Sequence, residues 1–189
     1  MLTYPSWSSR QLLSAADLNP YLYDNNQQLI SPSAFRVKGL ESLVSFSART
    51  EAKWDTWDFQ RQGWTSPNMS KFRCPSTGTY FIAANLTFRP PSDMDGKKSA
   101  MLDGVVSVQA PQDDSTNDVL KTLNSTKIIG SYLSINCSGL VHLIEGSFIS
   151  VRVAGWGGEW TKATSENKSS SMNSFAAIQI APDAKGLAG

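Results

Sequence analysis

The chain has 189 residues, with 17 basic and 16 acidic side chains, a net charge of +1 and 40% hydrophobic residues. This length suits one domain with an appendage, and a body of about 150 residues can bury enough surface to fold without a disulfide or metal. The longest basic run is Lys97-Lys98, which excludes nucleic acid and an anionic membrane as the main partner. No apolar run approaches the ~18 residues of a bilayer-spanning helix. Residues 1–11 lack the basic start and apolar core of an export signal, so we expect no export.

Residues 1–34 predict an N-terminal arm that contains a short helix. Asn19 before Pro20 is typical of a helix N-cap followed by proline at the first helical position. Leu18 and Tyr23 have the spacing of a hydrophobic staple. A 4-3-4 spacing, typical of a coiled-coil seam, runs through Leu18, Leu22, Asn25 and Leu29. The arm can therefore form a seam between copies, or pack along its own body or a neighbour.

The body, residues 35–182, predicts short β-strands. Residues 79–88 alternate between apolar and mostly polar side chains, which indicates a strand with one buried face. The Pro-Ser-Thr-Gly quartet at 75–78 is typical of a tight turn, so we predict a hairpin that joins residues 70–74 to this strand. Further strands are predicted at residues 43–48, 100–108, 127–137, 140–144, 147–154 and 174–180.

Two dipeptides indicate further turns. Glu145-Gly146 predicts a two-residue hairpin loop, and Asp103-Gly104 offers a turn that would split the strand at 100–108. About eight to ten short antiparallel strands with no helix pattern between them predict an all-β sandwich, not a parallel α/β sheet. We expect residues 183–189 to form a flexible tail.

Three motifs in the body occur in a fixed order. A Pro-x-x-Gly-x-Tyr turn comes first, then a charged-Gly corner, and then a last strand that begins with Ser-Phe and ends apolar. The residues are Pro75, Gly78, Tyr80, Gly146, Phe175 and Ile180. This order resembles the jelly roll shared by complement-type globular heads and tumour-necrosis-factor ligands. The resemblance covers about residues 36–182 and implies a homotrimer.

The arm carries a second motif. An Ala-Asp-Leu-Asn sequence at 16–19 precedes Asp24-Asn25 and then Pro32. It resembles the opening of many tailed-bacteriophage virion proteins. Together with the missing export pattern, this resemblance implies a virion protein that is assembled in the host cytoplasm.

The sequence offers no set of residues for catalysis or metal binding. His142, the one histidine, shares a strand face with Leu140 and Ile144, so we expect a core or subunit-facing imidazole and not a catalytic base. One histidine with Cys74 and Cys137 makes no zinc set, and we expect these cysteines to be buried thiols. No Gly-x-Ser-x-Gly elbow and no phosphate-binding glycine loop occur. We therefore predict no enzymatic activity, no cofactor and no metal.

Aromatic residues indicate the contact surfaces. Phe81 stands on the polar face of the strand at 79–88, and we expect a neighbouring copy to cover it. The predicted trimer interface consists of Phe81, His142, Phe148 and Phe175. Five of the six tryptophans fall at 54–64 and 156–160, where packing in a core or interface and stacking on sugars are both open. Trp156 and Trp160 form the predicted glycan or partner loop.

The leading hypothesis is a trimeric phage decoration or cement protein on the capsid surface. Its arm would bind the major capsid protein or another virion protein and so stabilise the shell. The predicted docking residues are Leu12, Leu13, Leu18, Tyr21, Leu22, Tyr23 and Leu29. One alternative is a receptor-binding head or tail fibre module that contacts host glycans. Another is a secreted globular-head signalling or lectin-like protein, for which a Cys74–Cys137 disulfide would be the marker.

Overall fold

The computed structural model describes residues 31–40, 48–92, 99–127, 131–162 and 172–183. These ranges contain strands and no helix, which confirms the all-β prediction. The strands are β1 (Ala34–Leu40), β2 (Thr50–Glu51), β3 (Trp54–Arg61), β4 (Lys71–Arg73), β5 (Gly78–Arg89), β6 (Ala100–Gln109), β7 (Thr116–Thr126), β8 (Leu133–Leu143), β9 (Phe148–Trp156), β10 (Thr161–Lys162) and β11 (Ser174–Pro182). Within the described ranges no segment has the helical length and apolar character of a membrane span. The predicted arm helix, most of the strand at 43–48 and residues 184–189 lie outside these ranges.

The strands form two antiparallel sheets. The first sheet has the order β8–β5–β11–β1–β3, and β10 pairs with the last two residues of β5. The second sheet has the order β7–β6–β9, and β2 and β4 pair with different parts of β9. The inner faces of both sheets contribute to one continuous hydrophobic core. The molecule is therefore a β-sandwich.

Aromatic rings fill the middle of this core. Phe35 stacks on Phe72 with 4.7 Å between ring centroids, and Phe175 meets Phe35 edge to face at 5.3 Å. Trp54 stacks on Phe175 at 5.9 Å, and Trp64 meets Phe35 at 4.6 Å. Such rings bury about 150–250 Å² each, so this cluster supplies much of the apolar surface that holds the two sheets together.

The two predicted hairpins are wrong. β4 pairs with β9 in the second sheet, whereas β5 lies in the first sheet, so the turn at 75–78 carries the chain from one sheet to the other. The Glu145-Gly146 corner makes a similar crossing between β8 and β9. The two corners bond to each other, because Gly146 N donates to Cys74 O and Cys74 N to Ser147 O, both at 2.8 Å. Turn residues mark where a strand ends but do not determine which sheet the next strand joins.

Strand boundaries also differ from the predictions. The segments 127–137 and 140–144 contribute to a single strand, β8, which passes through Gly139. β6 runs through Asp103-Gly104 without a turn. Besides the two-residue strands β2 and β10, the sequence did not predict β1, which lies inside the first sheet, or β3 and β7, which lie at the outer edges of the two sheets. Most side chains of β3 and β7 are exposed, so neither of these two strands shows the apolar alternation that predicts a half-buried strand.

Candidate self-association surface

A row of exposed apolar side chains crosses the outer face of the first sheet. Ile178 on β11 is directly opposite Phe81 on β5, and Phe81 is directly opposite Leu140 on β8. Their exposed fractions are 39%, 41% and 63%. Ile180 and Ile144, both more than half exposed, continue the same end of the face. We name these five residues the apolar face. Exposed apolar side chains grouped on one face of a sheet mark a contact site, so this face is the candidate surface.

A shallow depression lies beside the apolar face. The next row of opposed residues is Ala176, Ala83 and Ser138, all of which have small side chains. They form the floor of an open depression of about 550 Å³. Phe81 stands on one side of it, and Asn85 belongs to the lining on the polar side. The outer face therefore combines projecting apolar side chains with a recess of small ones.

Charged side chains near this face are paired with one another. On β1 and β3, Lys38 Nζ lies 2.8 Å from Asp58 Oδ1, and Arg36 lies 3.6 Å from the other carboxylate oxygen. The hydrogen bond from Lys38 lowers the pKa of Asp58. Near the Phe81 end, His142 Nε2 lies 3.0 Å from Asp183 Oδ2. An apolar centre with polar groups at its border is the usual anatomy of a protein–protein interface.

No protein-family model matches the chain, and no curated protein matches its sequence. Two crystal structures of murine APRIL are similar to it in fold. The structure at pH 8.0 has a TM-score of 0.52 and 17% identity, over 78% of this chain and 98% of that chain. The structure at pH 5.0 has a TM-score of 0.55 and 16% identity, over 79% and 99%. The chain has a tumour-necrosis-factor-like fold. The predicted resemblance is therefore confirmed at the level of the β-sandwich.

Within this tumour-necrosis-factor-like sandwich, the four predicted interface residues do not lie together. Phe81 and His142 are exposed on the outer face of the first sheet. Phe175 is fully buried inside one chain, so the prediction that it contacts a neighbouring copy is wrong. Phe148 lies on β9 in the second sheet, opposite Arg73 and Gln109, and cannot share one surface with Phe81.

The sequence reasoning missed four members of the apolar face. The sequence analysis placed Leu140 and Ile144 on one strand face with His142 and left that face open between the core and a subunit contact; the structure exposes it, which excludes the core. Ile178 and Ile180 follow from the same period of two that identified Phe81, because they alternate with the buried Phe175 and Ala177. The alternation alone leaves open which of the two apolar faces of β11 points outward, and the burial of Phe175 and Ala177 decides it.

The predicted glycan loop is only partly accessible. Trp156 is 41% exposed. Trp160 is fully buried, and its indole Nε1 donates to the carbonyl oxygen of Trp156 at 3.2 Å. Its predicted role in stacking on a sugar is therefore wrong. Trp54 and Trp64 are buried in the core, which confirms the packing alternative for them. The predicted docking residues of the arm lie outside the described residues.

Cys74 and Cys137 are buried free thiols, as the sequence predicted. Burial raises the pKa of both thiols. Cys74 Sγ lies 3.1 Å from the Ser76 carbonyl oxygen, and Cys137 Sγ lies 3.1 Å from that of Gly104. Protonated buried thiols are poor nucleophiles. Within the described ranges no group of three or more His, Cys, Asp and Glu side chains could hold a metal ion.

A buried carboxylate links the segment before β2 to the second sheet. Arg49 donates to Asp103 from both Nε and Nη2, at 3.0 and 2.9 Å. Arg49 Nη1 also donates to Asp118 at 2.7 Å, and Ser107 donates to the other oxygen of Asp118. The bond to Asp103 raises the pKa of Arg49. Arg49 bonds Asp103 through Oδ2 and Asp118 through Oδ2, and Ser107 bonds Asp118 Oδ1, so the cluster stabilises the sheet. Within the described residues, Asp103 Oδ1 is buried without a hydrogen-bond partner.

Proposed function

We propose that the protein is a non-enzymatic structural protein that assembles as a homotrimer through the outer face of its first sheet. The observation that carries the proposal is the exposed row Ile178–Phe81–Leu140, three apolar side chains in register on neighbouring strands. Burial of apolar surface contributes roughly 25 cal/mol per Å², so a neighbouring copy that covers this row gains free energy from all three side chains. The tumour-necrosis-factor-like fold and the sequence resemblance support the same arrangement.

We assign this trimer to the surface of a tailed-phage capsid as a decoration protein, assembled in the host cytoplasm. The arm at residues 1–34 would bind the major capsid protein or another virion protein. The Gln62 side chain donates to the Ser31 carbonyl oxygen, so Ser31, near which the arm joins the body, lies near the end of β3. β3 is the edge strand of the first sheet that lies farthest from β8, so Leu140 on β8 is distant from Ser31. Each trimer would have three arms and each capsid many trimers, so the many weak contacts of the arms would together resist expansion of the shell.

The test compares the full chain with a chain that lacks residues 1–30. Light scattering should give three chains for both proteins, because the apolar face is intact in both. Only the full chain should sediment with purified undecorated capsids. A stable monomer at micromolar concentration would contradict the trimer, and equal capsid binding without the arm would contradict its docking role.

A receptor-binding module is the second candidate, favoured by the exposure of Trp156 next to Gly157 and Gly158, both with positive φ. An exposed indole can stack on a sugar ring. In that case Trp156→Ala would abolish binding to host surface glycans, and deletion of the arm would not. The secreted signalling alternative is supported only by the fold that this chain has in common with the APRIL structures. The Cys74–Cys137 disulfide that would mark it is not formed.

A further inference from the structure

A polar cleft lies away from the apolar face, where the two sheet-crossing corners meet the loop after β3. It is open to solvent and has a volume of about 300 Å³. Three segments line it: Gly63 and Thr65 from the loop, residues 73–75 from the end of β4 and its turn, and the Glu145-Gly146 corner. No member of the apolar face lines this cleft, so its role is independent of the proposed trimer.

The backbone fixes the three segments of the cleft relative to one another. Arg73 N donates to Thr65 O, and Gly146 N donates to Cys74 O, both at 2.8 Å. Gly63 and Gly146 have positive φ values of 80° and 86°, which a residue with a side chain rarely adopts. The shape of the cleft is therefore set before a ligand arrives, which lowers the entropic cost of binding.

Two opposite charges line the cleft without pairing. The Arg73 guanidinium lies beside Gly146, because a Cβ atom built on that glycine would be 3.6 Å from Arg73 Nη2. Burial raises the pKa of the Cys74 thiol, and the nearby charge of Glu145 adds to this rise. Within the described ranges, neither the Arg73 guanidinium nor the Glu145 carboxylate has a hydrogen bond or an ion pair. Each charge can therefore bind a ligand group of the opposite sign.

We infer that this cleft binds a small zwitterion of one or two amino-acid residues, with its carboxylate on Arg73 and its ammonium group on Glu145. A guanidinium donates two parallel hydrogen bonds to a carboxylate, and an ammonium group donates to a carboxylate such as that of Glu145. Pro75 in the lining offers apolar surface to a small side chain. The volume is at the lower end of the range of ligand pockets, which suits a ligand of this size.

The test titrates the protein with alanylalanine and follows the amide NMR signals of Gly63, Thr65 and Gly146. Two capped probes each remove one charge: N-acetyl-alanylalanine has no ammonium group, and alanylalanine amide has no carboxylate. We expect a Kd on the order of 1 mM for alanylalanine, because Arg73 and Glu145 are both exposed and water weakens their attraction for the ligand. Each capped probe should bind about fivefold more weakly, since it loses one of the two charge-assisted contacts.

Substitutions assign each ligand charge to its residue. Arg73→Gln should remove the difference in affinity between alanylalanine and its amide, and Glu145→Gln should remove the difference between alanylalanine and its N-acetyl form. Lys127→Gln is the control, because Lys127 is exposed after β7, at the opposite end of the second sheet, and both differences should persist. Circular dichroism of each variant checks that the sheets are intact. Signals that do not shift in a saturable way with alanylalanine, capped probes that bind as tightly as alanylalanine, or variants that keep both differences would overturn the inference.

Discussion

Substitution of Phe175 tests whether this residue belongs to the core of one chain or to an interface between chains. Its side chain is fully buried within one chain, between Phe35, Trp54 and Phe72, at centroid distances of 5.3, 5.9 and 5.6 Å. Phe175→Ala removes a whole ring from this cluster and leaves a cavity between the sheets. Such truncations cost about 3–5 kcal/mol of the free energy of unfolding. Three aromatic neighbours place the expected loss in the upper half of that range, because each ring pair adds to the area term.

The assay is urea unfolding followed by tryptophan fluorescence, at several protein concentrations. The concentrations matter because dissociation of an oligomer contributes to its apparent stability. Phe175→Ala should lower the unfolding midpoint by the same amount at every concentration, since the lost contacts lie inside one chain.

Ile178→Ala is the matched control on the same strand. Ile178 points outward, opposite Phe81. Its truncation should therefore weaken only the association of subunits, so the change in the unfolding midpoint should depend on protein concentration. Two results together would refute the reasoning. Phe175→Ala would lower the free energy of unfolding by less than about 1 kcal/mol, the size of an ordinary substitution, and it would also lower the mass of the protein in solution.

Two further predictions concern buried polar groups. Asp103→Ala should lower the free energy of unfolding by about 2 kcal/mol, below the usual cost of breaking a buried ion pair, because Arg49 is partly exposed and keeps Asp118. Burial raises the pKa of the Cys74 and Cys137 thiols, so both should react slowly with iodoacetamide in the folded protein and rapidly in urea. Since their folded pKa lies above the unfolded value, the unfolded chain loses protons first, and stability should fall as the pH rises above about 8.5.

The controls for these predictions lie in the same chain. Asp114→Ala removes an exposed carboxylate at the turn before β7 and should leave the unfolding midpoint nearly unchanged. A loss equal to that of Asp103→Ala would contradict the role of the buried cluster. Thiols that react at the same rate in water and in urea would contradict the buried positions of Cys74 and Cys137.

The fold class could be predicted because the chain shows its alternation where one face is buried. β5 has this pattern over most of its length, from Tyr80 to Leu86. Sheet membership could not be predicted, because pairing joins residues far apart in sequence and a crossing corner uses the same residues as a hairpin turn. The edge strands β3 and β7 were missed because their exposed side chains leave no apolar period to recognise.

The candidate surface was only partly predictable for a related reason. Phe81 stood out because its neighbours on that face are polar, so a large ring there needed an explanation. On β11 both faces carry apolar residues, Phe175 on one and Ile178 on the other, and the alternation alone does not distinguish the inner face. Burial in the sandwich decides which face of β11 is the inner one, and this burial depends on which sheet packs against that face.

The mass of the full-length protein in solution tests the central claim most directly. Sedimentation velocity at micromolar concentration should give three times the 20.6 kDa of one chain, and Phe81→Asp should reduce this to one chain without loss of the β-sheet spectrum. A wild-type protein that sediments as a single chain, or a Phe81→Asp variant that remains trimeric, would contradict the assembly through the apolar face.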